Sequence, residues 1–328
     1  MSRPTHTPVL SEQVMAALRL HADDLVVDAT YGGGGHARAI LAKLGGGGRL
    51  LAIDRDPDAI ARARLDLEGD ARVEIIHAPF SHLGAILAAR GLSGRVAAML
   101  FDFGVSSPQL DQARRGFSFS ASGPLDMRMD PSRGASAAQW LEQVDERELC
   151  AALRDFGEER FARRIARAIK QSLARDALRS TTDLADVVAA AAPSREVGKH
   201  PATRTFQAIR IAVNDELGEV REVLPQALDG LAPRGRLVMI SFHSLEDRLV
   251  KRFFRAQSKG DPYPPELPVS EDMKRPRLRL VGKPVRADAR EIAANRRARS
   301  AVMRVAEKIG DAPDIVATVT AGRMQSCA

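Results

Sequence analysis

Two hydrophobic rhythms alternate along the first hundred residues. Leu25, Val26 and Val27 form a short apolar run that ends at Asp28, and Ala37, Ile40, Leu41 and Leu44 then recur at helical spacing. A short apolar run bounded by turn residues reads as a buried strand, and recurrence every three to four residues reads as one face of a helix. The strand rhythm returns at residues 50–53, ending at Asp54, at 73–76 with Phe80 just beyond, and at 96–101, ending at Asp102. Strands separated by helical segments predict a parallel sheet.

The pattern changes near residue 110. From there to about 210 the chain reads as helical or irregular. Phe161, Ile165 and Ile169 lie four apart, with Arg160, Arg163, Arg164 and Arg167 between them, which predicts an amphipathic helix with a basic outer side. Trp140, Leu141 and Val144 suggest another helix. The α/β rhythm then resumes. Leu217, Val220, Val223, Leu224, Ala227, Leu228 and Leu231 predict a helix that Pro225 should kink, and Gly235 leads into a fifth strand at 236–241. Asp288, with Glu291 three residues later, predicts the start of a short helix. Residues 302–306 and 315–320 are rich in β-formers and are expected to form a terminal antiparallel hairpin. The expected organisation is an α/β domain in two parts, residues 1–111 and 213–328, interrupted by a helical insertion at 112–212.

The glycines of DATYGGGGHA, residues 28–37, stand between a strand and a helix. Glycine is costly between packed elements unless a turn or a close ligand requires it, so this turn is a candidate cofactor cradle. Asp54 ends the next strand, 20 residues after Gly34. A carboxylate there suits the two hydroxyls of a ribose. Gly33 and Gly35 match the first two glycines of a dinucleotide fingerprint, but Arg38 occupies the third, and no GKS or GKT follows. An adenosine cofactor without a pyrophosphate, such as S-adenosylmethionine, fits better than NAD. Asp28 is then placed to face its cationic amino-acid part. An NAD-dependent oxidoreductase stays open at this level, as does an RNA-binding assembly factor that binds the cofactor without turnover.

Composition narrows the class. Hydrophobic residues make up 45% of 328, enough for a sizeable core, and no apolar run reaches membrane-spanning length. The N-terminus shows no apolar signal segment, and the two cysteines, Cys150 and Cys327, are far apart. The cysteines suggest a reducing cytoplasm and argue against a cysteine-rich zinc site. The formal net charge is +7. Residues 274–299 alone hold ten Lys or Arg against two acids, a net of +8 that leaves the remainder near −1. Such concentration suggests contact with a polyanion.

Three polar segments carry candidate chemistry. DFGVSSPQLD, residues 102–111, starts where the fourth strand stops, and its Ser106–Ser107–Pro108 turn is able to hold acceptors against an exocyclic amine. GKHPATRTFQAIRIAVNDEL, residues 198–217, offers Lys199, His200, Arg204 and Arg210 to phosphates, with Phe206 more suited to a core than to base stacking. SFHSLEDR, residues 241–248, places His243 at a loop mouth, as a base, a phosphate contact or a local hydrogen-bonding group.

HTPVLSEQV at 6–14, DATYGGGGHA, AIDRDPDAI at 52–60, DFGVSSPQLD, GFSFSASGPLDMRMD at 116–130, KHPATRTFQAIRI at 199–211, ISFHSLEDR at 240–248 and NRRARSAVMRVAEK at 295–308 occur in that order. Together they resemble the ribosomal RNA small subunit methyltransferase H (MraW) family over nearly the whole chain. The resemblance implies a class I S-adenosylmethionine-dependent methyltransferase, an α/β Rossmann-like sheet with an inserted helical domain. It implies methyl transfer to N4 of a cytidine in the decoding region of bacterial 16S ribosomal RNA, in the small subunit and in the cytoplasm. It assigns cofactor contacts to Gly34, Gly35, His36, Asp54, Phe80, Asp102 and Gln109. No essential metal and no obligate protein partner are implied. Asp102, Ser106, Ser107 and Pro108 are the catalytic candidates. Lys199, His200, Arg204, His243, Arg296, Arg297 and Arg299 are the RNA-contact candidates.

Overall fold

A computed structural model describes residues 8–192, 200–260 and 274–310. The first part runs α1 (Ser11–Leu18), β1 (Leu25–Asp28), α2 (Gly35–Leu41), β2 (Arg49–Asp54), α3 (Pro57–Asp66), β3 (Val73–His77), α4 (Leu83–Ala88), β4 (Val96–Asp102) and α5 (Ser107–Asp111). Helices α6 (Ala137–Gln143), α7 (Glu146–Gly157), α8 (Ala162–Ala174), α9 (Thr181–Ala191) and α10 (Thr203–Asn214) follow without a strand among them. The α/β pattern returns with α11 (Glu216–Gly230), β5 (Leu231–Ser241), α12 (Ser244–Lys259), β6 (Leu278–Leu280), β7 (Val285–Arg286), α13 (Ala289–Ala294) and β8 (Val302–Lys308).

The strands form one sheet in the order β3-β2-β1-β4-β5-β8-β6, with β7 also paired to β8. β1 to β5 are mutually parallel, and β8 runs antiparallel to β5. Alternate residues of the strands serve opposite faces. Val26, Leu50, Leu100 and Ile240 join a core with α1 and α2, whereas Val27, Leu51, Phe101 and Met239 join a core with α4, α11 and α12. With both faces covered, the strands read as continuous apolar runs instead of alternating ones. A third core lies within the helical stretch, around Met127, Leu141, Leu153, Ile165, Leu184 and Phe206. In α8, Ile165 and Ile169 are buried, while Arg163, Arg164 and Arg167, and Arg160 just before the helix, are exposed.

Some boundaries differ from the sequence reading. β5 begins at Leu231, before Gly235, because Leu231 pairs with Val96 across a register shift. Pro225 sits on the exposed side of α11 and does not end it. Residues 302–306 lie in β8, whose antiparallel partners are β5, β6 and β7. The other half of the expected terminal hairpin, 315–320, lies outside the described residues.

The register places Asp28 beside Leu100 and Asp102 beside Ile240, so the carboxyl ends of β1, β4 and β5 share one edge. The strand order reverses between β1 and β4. An open α/β sheet binds ligands beyond the carboxyl ends of its strands at such a reversal.

Candidate functional site

A cavity of about 800 Å³ opens at this edge. Its lining includes Gly33, Gly35, His36, Asp54, Phe80, Asp102, Ser106, Ser107, Pro108 and Gln109. Gly34 shapes the turn from behind. It caps α2 in the left-handed region, at φ 73°, and its N–H donates to the Tyr31 carbonyl at 2.7 Å. A Cβ on Gly34 would drive into the Tyr31 ring, 2.6 Å from Cζ. A Cβ on Gly33 would meet nothing within 4 Å, so the backbone there lies open to a ligand.

Asp54 is tied to this turn. Its Oδ2 accepts the Gly32 N–H at 2.7 Å and its Oδ1 accepts the Asp56 N–H at 2.8 Å. Burial outweighs these bonds and pushes its pKa up to about 6. Each oxygen keeps acceptor capacity beyond these bonds.

Asp28 and Asp102 end the neighbouring strands β1 and β4, Asp28 behind the cavity lining and Asp102 in it. Asp28 is buried, takes the Thr30 N–H on Oδ1 at 3.2 Å, and has no partner for Oδ2. Burial raises its pKa to about 7. Asp102 Oδ1 is buried and also without a partner, while Oδ2 lies 3.8 Å from His36 Nε2. Burial first, then the charges of Asp28 and Glu246, push the Asp102 pKa up to about 8. His36 moves the other way. Burial pulls its pKa down to about 4, and neither ring nitrogen has a partner. Buried polar atoms are nearly always paired, so orphaned acceptors around one cavity indicate a place for a donor or cation. Asp102 Oδ1, with the open backbone at Gly33, fits the amino-acid part of a sulfonium cofactor; Asp28 stands behind the lining and holds the Thr30 turn that does line the cavity.

These shifts have a sign in stability. The unfolded chain loses the Asp28 and Asp102 protons near pH 4, but the folded chain keeps them to about 7 and 8. The cofactor-free protein is therefore expected to lose stability as pH rises towards 8, by up to about 1.4 kcal/mol per pH unit for each group inside its window. His36 opposes the trend only below its unfolded value of 6.5. Thermal melts between pH 6.5 and 8 check this. The melting temperature should fall across that range and should fall less in Asp102→Asn; parallel profiles would contradict the assignment.

The Ser106–Pro108 turn is held from below. Ser106 caps α5, and its N–H donates to Gln109 Oε1 at 2.8 Å. Gln109 Nε2 donates to Asp56 Oδ2 at 2.8 Å, so both ends of this amide serve internal bonds. Arg115 donates to the same Asp56 carboxylate at 2.9 Å and to the Met129 carbonyl at 2.9 Å, with both charged side chains buried. This network joins the end of β2, the turn after β4 and the start of the helical stretch.

Beyond Asp102 the lining includes Arg210, Glu216, Phe242 and Glu246. Arg210 donates to both oxygens of Glu216, at 2.6 and 2.8 Å. Glu246 Oε2 accepts the N–H groups of Phe242 and His243 at 2.8 and 3.3 Å. His243 caps α12 and sets Nε2 3.2 Å from Glu246 Oε1, an interaction that lowers the Glu246 pKa against the effect of burial. Glu216, His243 and Glu246 bring ligand atoms within 4.8 Å of one another. Arg210 already occupies both oxygens of Glu216, and its guanidinium supplies the positive charge a metal would bring.

The basic candidates separate. Arg297 lines the cavity, donates to Asp111 at 2.7 Å, and keeps a buried Nη1 without a partner. Arg296 and Arg299 are exposed and line a second hollow of about 530 Å³ with Ile292 and Ala293. His200 packs on Phe119 with ring centres 4.6 Å apart, and Arg204 donates to the Glu158 carbonyl at 2.9 Å; neither lines the cavity. Lys199 lies outside the described residues. Phe206 is buried edge-on against Phe119.

The sequence reading missed Asp56, Arg115, Glu216 and Glu246 as site-forming groups. Arg210 and Glu216 are six apart, a spacing that does not pair along one helix. They meet because Asp215 takes a left-handed conformation, φ 47°, between α10 and α11.

The chain matches the MraW methylase family over residues 3–309. It is 54% identical over 311 residues to a ribosomal RNA small subunit methyltransferase H of Thiobacillus denitrificans, covering 94% of this chain and 99% of that one. It is 55% identical over 301 residues to the protein of the same name from Methylococcus capsulatus, covering 92% and 99%.

Proposed function

Because the chain belongs to the MraW methylase family, we propose that it transfers a methyl group from S-adenosylmethionine to the exocyclic N4 of a cytidine in the decoding region of bacterial 16S ribosomal RNA. The observation that carries this reading is Asp102, a half-buried carboxylate whose Oδ1 is buried without a hydrogen-bond partner, at the carboxyl end of β4, in one cavity with the glycine turn and the Ser106–Pro108 turn. Among the described residues no helix is long and apolar enough to cross a membrane. We place the reaction in the cytoplasm, on the small ribosomal subunit.

The cofactor supplies a methyl group on a positively charged sulfur. The chain's residues bind, orient and manage a proton. Asp54 takes the ribose hydroxyls, and Phe80 offers an apolar wall. Asp28, behind the lining, acts on the cationic amino-acid end through its charge and through the Thr30 turn it holds. The cytosine amine is a weak nucleophile because its lone pair is conjugated with the ring, and it must lose a proton as it gains the methyl group. Asp102 is the proposed acceptor. Its pKa of about 8 in the cofactor-free cavity lies near working pH, and a neighbouring cation favours its ionised form. No cysteine nucleophile is needed; Cys150 is half-buried outside the cavity lining. The turn at 106–108 orients the amine, and the target base is extruded from folded RNA to reach it. Residues 112–212 are proposed as the inserted RNA-recognition part.

Transfer of labelled methyl to unmethylated small subunits, with the modified nucleotide mapped, tests the reading. Label at cytidine N4 supports it. Cofactor binding without transfer would leave an assembly factor instead.

Arg296, Arg297 and Arg299 are proposed to hold RNA phosphates. Replacing all three with Gln should weaken RNA binding and reduce the slope of log affinity against log salt by roughly 2–3, since each lost contact removes about 0.7–0.9. Cofactor affinity should stay unchanged when Arg296 and Arg299 alone are replaced, since neither lines the cavity. An unaltered slope in a salt titration would refute phosphate contact.

A further inference from the structure

The deep end of the cavity has a charge opposite to that of the protein. The chain carries +7, and its proposed substrate is a polyanion. Yet beyond Asp102 the cavity presents two carboxylates, Glu216 and Glu246, against one guanidinium, Arg210. Glu216 and Glu246 are 6% and 1% exposed. The three groups lie within electrostatic reach of one another and of Asp102. The Arg210 pKa is raised by Glu216 and then Glu246, and Glu246 also raises that of Asp102. A net-negative, buried end repels phosphate. It suits a group that donates hydrogen bonds.

We propose that Arg210, Glu216 and Glu246, with Phe242, form the subsite that reads the target base, and that they select cytosine over uracil by hydrogen-bond polarity. The proposal rests on the reading above that a cytidine is the acceptor. The sheet supports the placement. The segments after β1 and β2 supply the cofactor side of the cavity through Thr30, the glycine turn and Asp54, whereas Phe242 and Glu246 follow β5, across β4 from that side. About 800 Å³ is enough for a nucleoside-sized cofactor and a second, single-ring guest, within the range of ordinary ligand sites.

The chemistry of the edge matches. Cytosine presents an amine that donates at position 4 and two acceptors, N3 and O2. Arg210 spends Nε and Nη2 on Glu216, and among the described residues its Nη1 has no hydrogen-bond partner. Nη1 supplies donors for N3 or O2. Glu246, which gives only Oε2 to the Phe242 and His243 N–H groups, accepts from the amine, and both carboxylates stabilise the positive charge that builds there as the methyl group arrives. Uracil reverses the pattern. Its O4 would face carboxylates, and its N3–H would face the guanidinium. Such a mismatch leaves charged groups unpaired in a buried site, where the cost is greatest. A buried ion pair is also weak as a stabilising device against apolar side chains of equal size. Its presence on a cavity wall is better explained by recognition.

The test uses full-length protein and small subunits whose target nucleotide is cytidine or uridine. Wild type should bind the cytidine particle about tenfold more tightly, the value of one rejected hydrogen bond. Glu246→Gln keeps an acceptor for the Phe242 N–H, and Arg210→Lys keeps the charge. Each should bring the two affinities to within about twofold. Each should leave the dissociation constant for S-adenosylhomocysteine unchanged by calorimetry. Tenfold discrimination retained in both variants, or absent in wild type, overturns the proposal. Loss of cofactor binding in a folded variant also overturns it, because the residues would then belong to the cofactor site. If Glu246→Gln fails to fold, Arg210→Lys alone decides. Failure of the underlying reading appears separately, as wild type that transfers no methyl group to cytidine N4.

Discussion

Asp102→Asn is expected to lower the single-turnover rate of methyl transfer by roughly 10²–10⁴-fold, the usual worth of a positioned proton acceptor. The amide matches the carboxylate in size, so the Thr30 Oγ1 bond to the Asp102 backbone N–H, 2.7 Å, should survive. What disappears is a basic oxygen whose Oδ1 faces no partner inside the protein. Removing a charge that burial disfavours should not weaken the cofactor-free fold, and above pH 7 it should strengthen it. Activity and stability therefore move in opposite directions, which separates a chemical role from a local cap. Ser106→Ala should cost much less, because the turn is held by the backbone N–H of Ser106 on Gln109. Both variants are measured with cofactor and small subunits saturating, so that a lower rate reports transfer and not binding. A full chemical rate in Asp102→Asn, with product still at cytidine N4, would remove Asp102 from the proton step.

Asp54→Ala should act on the other substrate. It removes a ribose acceptor, and a hydrogen bond to a charged group is worth about 1.5–3 kcal/mol, or roughly ten- to a hundredfold in affinity. It also strips the Gly32 and Asp56 N–H groups of their acceptor, so the glycine turn loses the anchor that shapes it. Calorimetry should show weaker S-adenosylmethionine binding by at least tenfold, together with a lower melting temperature. Asp54→Asn keeps one acceptor oxygen and should fall between wild type and Ala in both measurements. Unchanged affinity in a folded Asp54→Ala protein would refute the ribose assignment. Tighter binding of NAD than of S-adenosylmethionine to wild type would point to an oxidoreductase.

Much of this architecture was legible because the signals are local. Val26–Val27 before Asp28, and Leu50–Ile53 before Asp54, are apolar runs closed by an acid, and strands buried on both faces have that appearance. The glycine turn was legible for a similar reason: Gly34 adopts a positive φ and faces a tyrosine ring that a Cβ would strike. The Asp288 cap followed from spacing alone, its carboxylate accepting the Glu291 N–H at 2.8 Å.

Sequence by itself also determined that the sheet is interrupted after β4, that the family motifs occur in order, and that positive charge concentrates near the C-terminus. Local rules govern each of these, because propensity, periodicity and motif spacing act over a few turns of chain. Only the tertiary structure decided which charges share a cavity. Asp56 and Arg115 meet across 59 positions, and Asn214 reaches the Met127 carbonyl across 87. It also decided that Gln109 is committed to Ser106 and Asp56, and that Arg210 pairs with Glu216 on a cavity wall that Glu246 shares. Protonation states belong to the same class. Asp28, Asp54 and Asp102 are one residue type with one intrinsic pKa, and burial, with repulsion from different neighbouring acids, spreads them to about 7, 6 and 8. Desolvation and Coulomb energy depend on distance through space, and the chain order does not encode that distance until the sheet has formed.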